Sequence, residues 1–182
     1  MKRGTQWLVV VGGAGALAAA VAAGVALAPS AVGVGIPAPD FRATDVASGD
    51  SVSLARFKGD VLLVNIWATW CTPCEQEMPE IERLYDELGP EGLRVLAVSV
   101  DEQGSDVVRA WTRKRHLTFT ILHDPGAKIE RLYQTIGLPE SFVIDRSGRI
   151  VKRVTGFVVH WDDDTQKALF RRLLAQKREP RG

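Results

Sequence analysis

The most constraining feature of this sequence is an apolar run at residues 61–68, VLLVNIWA, which is followed three positions later by Cys-Thr-Pro-Cys. A near-continuous apolar run of this length is typical of a strand buried on both faces of a sheet. Apolar side chains then recur at helical spacing through residues 72–88, and we expect Pro79 to bend this helix. A buried strand that feeds an amphipathic helix predicts an α/β fold with helices on both faces of the sheet.

The rest of the chain continues this alternation. Residues 93–100 have the composition of a second buried strand, and residues 41–45 and 51–54 are predicted to pair as a hairpin ahead of the first. Further strands are predicted at 118–122, 141–145 and 150–155, and further helices at 106–115, 127–133 and 162–176.

Composition and charge fit one globular domain with an appendage. The chain has 182 residues, 46% of them hydrophobic, and its formal net charge is +1. Proteins that bind nucleic acid usually carry a strongly basic face, so nucleic acid is not an expected partner. The acidic stretch at 75–87 and the basic stretch at 171–181 are interpreted as solvated helix faces.

The N-terminus predicts export. Lys2 and Arg3 precede residues 7–28, which carry no charge and would span about 33 Å as a helix, enough for a hydrocarbon core of roughly 30 Å. We therefore predict a cytoplasmic segment at 1–6 and a single transmembrane signal anchor at 7–28 in a bacterial cell membrane, with the remainder on the periplasmic side.

A cleaved signal peptide is the alternative, and it would release a secreted protein. Ala26-Leu27-Ala28 resembles a cleavage site, although Pro29 directly after it should hinder cleavage. Both interpretations place the domain in an oxidising compartment. The predicted organisation continues with a Gly- and Pro-rich linker at 29–39, one domain at 40–178 and a tail at 179–182.

The only two cysteines, Cys71 and Cys74, are three residues apart, a spacing that does not staple distant segments and therefore favours a chemical role. Cys71 should lie at the N-terminus of the helix, where unpaired N–H groups and the helix dipole lower the pKa of its thiol. Pro73 suits the first helical turn. Cys71 would attack a substrate disulfide, and the more buried Cys74 would then displace the product.

Three other interpretations of the pair remain open. A zinc site would need ligands beyond the cysteines, and His116, His123 and His160 are not spaced like zinc-finger ligands. The two thiols could instead be structural core residues. A one-cysteine peroxidase is the third alternative, but it would not need Cys74.

The segment from Val64 to Cys74, VNIWATWCTPC, resembles the active-site stretch of the thioredoxin superfamily, and most closely its extracytoplasmic TlpA/ResA/CcmG-like branch. Pro39-Asp40-Phe41, Glu77-Met78-Pro79 and the stretch GLPESFVID at 137–145 resemble further segments of that branch in the same order. The resemblance implies a thioredoxin-like fold: a central mixed sheet flanked by helices, an N-terminal hairpin, and a central insertion that corresponds to residues 104–123.

The resemblance also implies roles for individual residues. Pro139 is expected to be cis and to face the cysteines, with Leu138 offering its backbone to a bound substrate chain. Trp70, Thr72 and Pro73 are expected to belong to the substrate surface. Many thioredoxins carry a buried aspartate where this chain has Asn65, which cannot transfer a proton. Glu77 shares a helix face with Cys74 and is our candidate for the proton relay.

The predicted function is a thiol–disulfide oxidoreductase that needs no cofactor or metal and acts as a monomer. We expect it to reduce disulfides in exported proteins, apocytochrome c among them, and to receive electrons from a membrane thiol protein. Glu140, directly after Pro139, resembles the cytochrome-maturation members of the branch. The alternatives are a disulfide oxidase or isomerase, and a metal-handling module that uses the cysteine pair.

Overall fold

A computed structural model describes residues 32–177 of the chain, so the predicted anchor at 7–28 and the tail at 179–182 lie outside the described residues. Within 32–177, no helix has both the length and the apolar character that a membrane span requires. The predicted organisation of the N-terminus therefore stays a prediction.

In the described part of the chain, seven strands form one mixed sheet in the spatial order β2-β1-β5-β4-β3-β6-β7. The strands are Arg42–Asp45 (β1), Ser51–Ser53 (β2), Val61–Trp67 (β3), Leu93–Ser99 (β4), Thr120–His123 (β5), Glu140–Ile144 (β6) and Ile150–Thr155 (β7). Strands β3, β4 and β5 are parallel, and the outer strands pair antiparallel. This arrangement confirms the predicted mixed sheet and the N-terminal hairpin of β1 and β2.

Four α-helices accompany the sheet between residues 32 and 177: Thr72–Leu88 (α1), Ser105–Lys114 (α2), Lys128–Leu132 (α3) and Asp164–Leu174 (α4). Helix α1 continues through Pro79 without a break. The sequence predicted that β2 would extend to Leu54, but the strand ends at Ser53. A 3-10 turn follows at Leu54–Phe57. Residues 104–123, the expected insertion, supply α2 and β5, and β5 joins the hairpin to the parallel strands.

Strand β3 is an interior strand of the sheet, and all seven of its residues are buried. It pairs with β4 on one side and with β6 on the other, which places Asn65 opposite Ala97 and Ser141. The apolar run at 61–68 is therefore buried on both faces, as predicted. Asn65 is the one polar side chain within this strand, and its exposure is 0%.

The turn between β6 and β7 forms at the predicted Arg146-Ser147-Gly148. The Asp145 carboxylate accepts hydrogen bonds from the backbone N–H groups of Ser147 and Arg149, at 2.9 and 3.1 Å. Gly148 has a φ of 81°, a conformation that disfavours side chains with a Cβ. This tight turn allows β6 and β7 to pair as neighbouring antiparallel strands.

The described part of the predicted linker lies against the domain. Residues 32–39 form no helix or strand, but the Gly35 N–H donates to the carbonyl of Ile150 at 2.7 Å and the Ala38 N–H to that of Gly148 at 2.8 Å. The guanidinium of Arg153 donates to the Val32 carbonyl at 3.0 Å. These bonds connect the segment to β7 and to the turn before it.

Candidate active site

Cys71 and Cys74 are joined by a disulfide bond at the N-terminus of α1. Cys71 is the N-cap residue, and its sulfur accepts a hydrogen bond from the backbone N–H of Cys74 at 3.2 Å. Cys71 retains 6% exposure, whereas Cys74 has none. The predicted placement is confirmed: one sulfur lies at the helix terminus next to a backbone donor, and the other is enclosed one turn later.

The peptide bond between Leu138 and Pro139 is cis, as the resemblance implied. The Pro139 carbonyl accepts a hydrogen bond from the Gly156 N–H at 2.7 Å. Strand β6 begins at the next residue and pairs with β3, the strand that leads to Cys71. The sheet therefore places the cis-proline loop next to the strand that carries the cysteine pair.

A groove of about 600 Å³ contains both Trp70 and Leu138 in its wall. Trp70 is 69% exposed, which is unusual for so large an apolar side chain, and Thr72 and Pro73 are exposed beside it at the start of α1. This arrangement supports the predicted substrate surface. The binding roles of Trp70, Thr72, Pro73, Leu138 and Pro139 stay predictions.

Asp101 in the wall of this groove is a site residue that the sequence did not reveal. Its carboxylate accepts hydrogen bonds from the backbone N–H of Thr69 at 3.0 Å, the Thr69 hydroxyl at 2.5 Å and the Ser99 hydroxyl at 2.7 Å. Asp101 is 2% exposed. It therefore fixes the loop between β3 and the cysteine pair from the end of β4, a contact that no local sequence pattern announces.

Glu77 lies three residues after Cys74 in α1 and is only 1% exposed. Its Oε2 accepts a hydrogen bond from the Asn65 amide at 2.9 Å, and its Oε1 accepts one from the Trp161 indole N–H at 2.5 Å. Asn65 also donates to the Ser141 hydroxyl at 2.9 Å. Glu77 is thus a buried acid within a polar network and not a solvated surface residue.

Burial raises the pKa of Glu77 from 4.5 to about 7, because the charged form loses its hydration. The hydrogen bonds from Trp161 and Asn65 favour the carboxylate and oppose this rise, and the charge of Glu80 adds to it. A carboxyl group with this pKa can take up and release a proton near neutral pH. That property suits general acid–base chemistry beside a dithiol.

Glu80 follows one helical turn after Glu77 and is bound to the loop ahead of α4. Its Oε1 lies 2.9 Å from Nδ1 of His160, and its Oε2 accepts the backbone N–H of Trp161 at 3.1 Å. Two carboxylates of α1 therefore contact one residue, Trp161. In the sequence His160 was considered only as a zinc ligand, and no local pattern pointed to Trp161, so their contacts with α1 were missed.

Glu140 is fully buried at the start of β6 and is paired with a cation. Two guanidinium nitrogens of Arg153 lie 3.0 and 3.2 Å from its carboxylate oxygens, and the Thr155 hydroxyl also donates to it. Arg153 further donates to the carbonyl of Gln134 at 2.7 Å. The Arg153 guanidinium thus balances the negative charge of the carboxylate next to the cis-proline.

The three histidines of the chain lie in separate environments. His123 contacts the Asp101 carbonyl at 2.8 Å, His160 contacts Glu80, and His116 lies two residues after the end of α2 with a φ of 55°. Between residues 32 and 177, no three His, Cys, Asp or Glu side chains come together as a possible metal site.

Comparison with known proteins agrees with the geometry of the site. Residues 34–153 match the model of the AhpC/TSA family. The thiol–disulfide oxidoreductase ResA of Bacillus thuringiensis is 36% identical over 124 residues, 68% of this chain and 70% of that protein. ResA of Geobacillus kaustophilus is 36% identical over 133 residues, 73% of this chain and 75% of that protein.

A solved structure shows the same fold. The structure of a candidate thiol:disulfide interchange protein DsbE from Chlorobium tepidum superposes with a TM-score of 0.67 at 32% identity, over 79% of this chain and 97% of that one. The described fold carries a joined Cys71–Cys74 pair where β3 meets α1. The chain therefore belongs to the AhpC/TSA family of thioredoxin-fold proteins, and within it this protein is a thiol–disulfide oxidoreductase similar to ResA and DsbE.

Proposed function

We propose that this oxidoreductase reduces disulfide bonds in exported proteins on the periplasmic side of a bacterial cell membrane, held there by residues 7–28. The observation that carries the proposal is the pairing of a slightly exposed Cys71 with an enclosed Cys74 and a buried acid, Glu77. The location rests on Lys2, Arg3 and the uncharged run after them.

The cysteine pair would act in two steps. The Cys71 thiolate attacks one sulfur of the substrate disulfide, forms a mixed disulfide and releases the other substrate sulfur as a thiolate. Cys74 then loses its proton and attacks Cys71, which forms the Cys71–Cys74 disulfide and expels the second substrate thiolate. The protein is oxidised by two electrons, and the substrate is reduced by two.

The second step needs an acceptor for the Cys74 proton, because only the thiolate is a nucleophile. Asn65 cannot accept it, since an amide has no useful basicity. Glu77 lies on the same face of α1 as Cys74, and about half of its carboxyl groups are ionised near pH 7. Glu77 is therefore the proposed proton acceptor, and it would return the proton to the thiolate when the pair is reduced again.

The substrate would lie as an extended segment across the groove lined by Trp70 and Leu138. Backbone pairing at Leu138 would orient the substrate without reading its sequence, whereas Trp70 adds an apolar surface next to Cys71. Apocytochrome c is the proposed substrate, because Glu140 follows the cis-proline as in the cytochrome-maturation members. A membrane thiol protein would reduce the pair again.

The reduction potential tests the direction of the reaction. The full chain in detergent would be equilibrated in glutathione and dithiothreitol buffers, and the fraction of free thiols would be measured by alkylation and mass. A reductase requires a potential of about −250 mV or lower, whereas a value of about −120 mV would assign an oxidant instead. The Cys71→Ala variant, which cannot form the disulfide, provides the baseline.

A further inference from the structure

The loop between β7 and α4 brings a surface-exposed histidine into contact with the network around Glu77. The side chain of His160 is 71% exposed, and its Nδ1 lies 2.9 Å from Oε1 of Glu80. The other oxygen of Glu80 accepts the backbone N–H of Trp161, whose indole N–H is bonded to Glu77. A continuous series of contacts thus runs from solvent to the buried acid.

We propose that Glu80 and His160 are positioning residues that control the proton affinity of Glu77 through their charges, and thereby the pH range in which the cysteine pair can cycle. The inference rests on the proposed role of Glu77 as proton acceptor. It adds that two residues outside the groove set how well Glu77 performs that role.

The charge of Glu80 has a defined effect on Glu77. The two carboxylates are three residues apart on one helix, and both belong to buried residues (1% exposed for Glu77 and 9% for Glu80), so solvent screens their repulsion weakly. The negative charge of Glu80 favours the protonated form of Glu77. Replacing that charge by a neutral group should therefore weaken proton binding at Glu77.

His160 has the opposite effect because it compensates Glu80. The hydrogen bond to Glu80 and the negative charges of Glu80, Asp162 and Asp163 raise the pKa of His160 above its usual 6.5. The imidazolium form is therefore more favoured than in an unperturbed histidine, and where it forms it offsets part of the Glu80 charge. Removal of the His160 side chain should therefore strengthen proton binding at Glu77.

The other charged and polar groups around the network are few in the part of the chain that the structure describes. Asn65 faces Glu77 from β3, and the Lys152 ammonium lies 5.7 Å from the centre of the Trp161 ring. Arg83 is bonded to Asp162 at 2.6 Å and so neutralises one acid of the loop. None of these groups contacts Glu80 directly among the described hydrogen bonds, which leaves His160 as its compensating charge.

The indole N–H resonance of Trp161 reports the protonation of Glu77, because the two groups share a hydrogen bond. We would follow this resonance by NMR from pH 4 to 9 in the oxidised full chain, with the Trp161→Phe variant used to assign it. The titration midpoint would be compared between the wild type, Glu80→Gln and His160→Ala. Circular dichroism would verify that each variant is folded.

The two variants should move the midpoint in opposite directions. We expect Glu80→Gln, which can still accept the Trp161 N–H, to lower it by about half a pH unit or more, and His160→Ala to raise it. The matched control is Glu82→Gln. The Glu82 carboxylate also belongs to α1, but it is bonded to Thr118 and not to this loop, so the variant should leave the midpoint unchanged.

A midpoint that rises in both variants would overturn the proposal, because loss of loop anchoring alone would weaken the Trp161 bond to Glu77 in each case. Unchanged midpoints would overturn it as well. The measurement needs no disulfide exchange, so a failure here is distinct from a failure of the reductase function, which the reduction potential tests separately.

Discussion

The indole N–H of Trp161 donates to the carboxylate of Glu77 at 2.5 Å, joining two fully enclosed residues that are 84 positions apart in the chain. Helix α1 supplies the acid and the loop before α4 supplies the donor, while β3 contributes Asn65 on the other oxygen. Tertiary contacts therefore build the environment of Glu77, the proposed proton acceptor, and substitution of each partner tests how that environment affects it.

The first prediction concerns Glu77 itself. Its folded pKa of about 7 exceeds the ordinary 4.5, so the folded protein binds this proton more tightly than the unfolded chain does. The contribution of Glu77 to stability is then largest below pH 4.5, falls as the pH rises to about 7, and is constant above that, with a total change of about 3 kcal/mol. Glu77→Gln should remove this fall, which urea denaturation at pH 5 and pH 8 would measure.

A second prediction concerns Asn65. Asn65→Asp would place a carboxylate about 3 Å from the Glu77 carboxylate, and two like charges at that distance cannot both be ionised cheaply. The variant should be close to wild type in stability at pH 5 and clearly destabilised at pH 8. Ser141→Ala is the control, because it removes the other partner of Asn65 without adding charge, and its effect should not depend on pH.

Trp161→Phe tests the hydrogen bond to Glu77. The aromatic ring is kept in smaller form, but the Glu77 carboxylate loses a hydrogen-bond donor. We therefore expect the free energy of unfolding to fall by roughly 2 to 4 kcal/mol at pH 8 and by less at pH 5. The matched control is Trp67→Phe. Trp67 is equally buried, and its indole N–H has no hydrogen-bond partner among the described residues. Trp67→Phe should therefore lower the free energy of unfolding by the same amount at both pH values.

The fourth prediction concerns the buried ion pair of Glu140 and Arg153. Arg153→Met leaves the Glu140 carboxylate in the protein interior without its cation, which should cost about 3 to 5 kcal/mol in the free energy of unfolding. The double variant with Glu140→Gln should recover most of that loss. Arg149→Met is the control, because the Arg149 guanidinium donates to the Gly35 carbonyl at the surface and holds no buried carboxylate, and it should cost less than about 1 kcal/mol.

Local patterns predicted the parts of the site that one stretch of chain determines. The buried strand β3, the helix that begins after Cys71 and the turn at Gly148 follow from apolar spacing, N-terminal helix geometry and turn residues. The cis bond at Pro139 followed from a resemblance and not from such rules. Each of these features depends on residues that are close together in the sequence or on a recognisable motif.

The residues that were missed are those whose partners lie far away in the chain. Asp101 fixes Thr69 from a neighbouring strand, and His160 reaches Glu80 across 80 positions. Glu77 could be placed on the face of Cys74, but its burial and its raised pKa depend on Trp161 and Asn65 covering it. Only the packed fold determines such contacts, because no periodicity encodes them.

The central claim is that Cys71 attacks a substrate disulfide and Cys74 resolves the intermediate. Reduced Cys74→Ala and Cys71→Ala variants of the full chain would each be incubated with insulin, and adducts would be identified by mass spectrometry before and after treatment with dithiothreitol. We predict a stable mixed disulfide on Cys71 in Cys74→Ala and none in Cys71→Ala, because Cys74 is enclosed. An adduct on Cys74 in Cys71→Ala, or no adduct in either variant, would contradict the account.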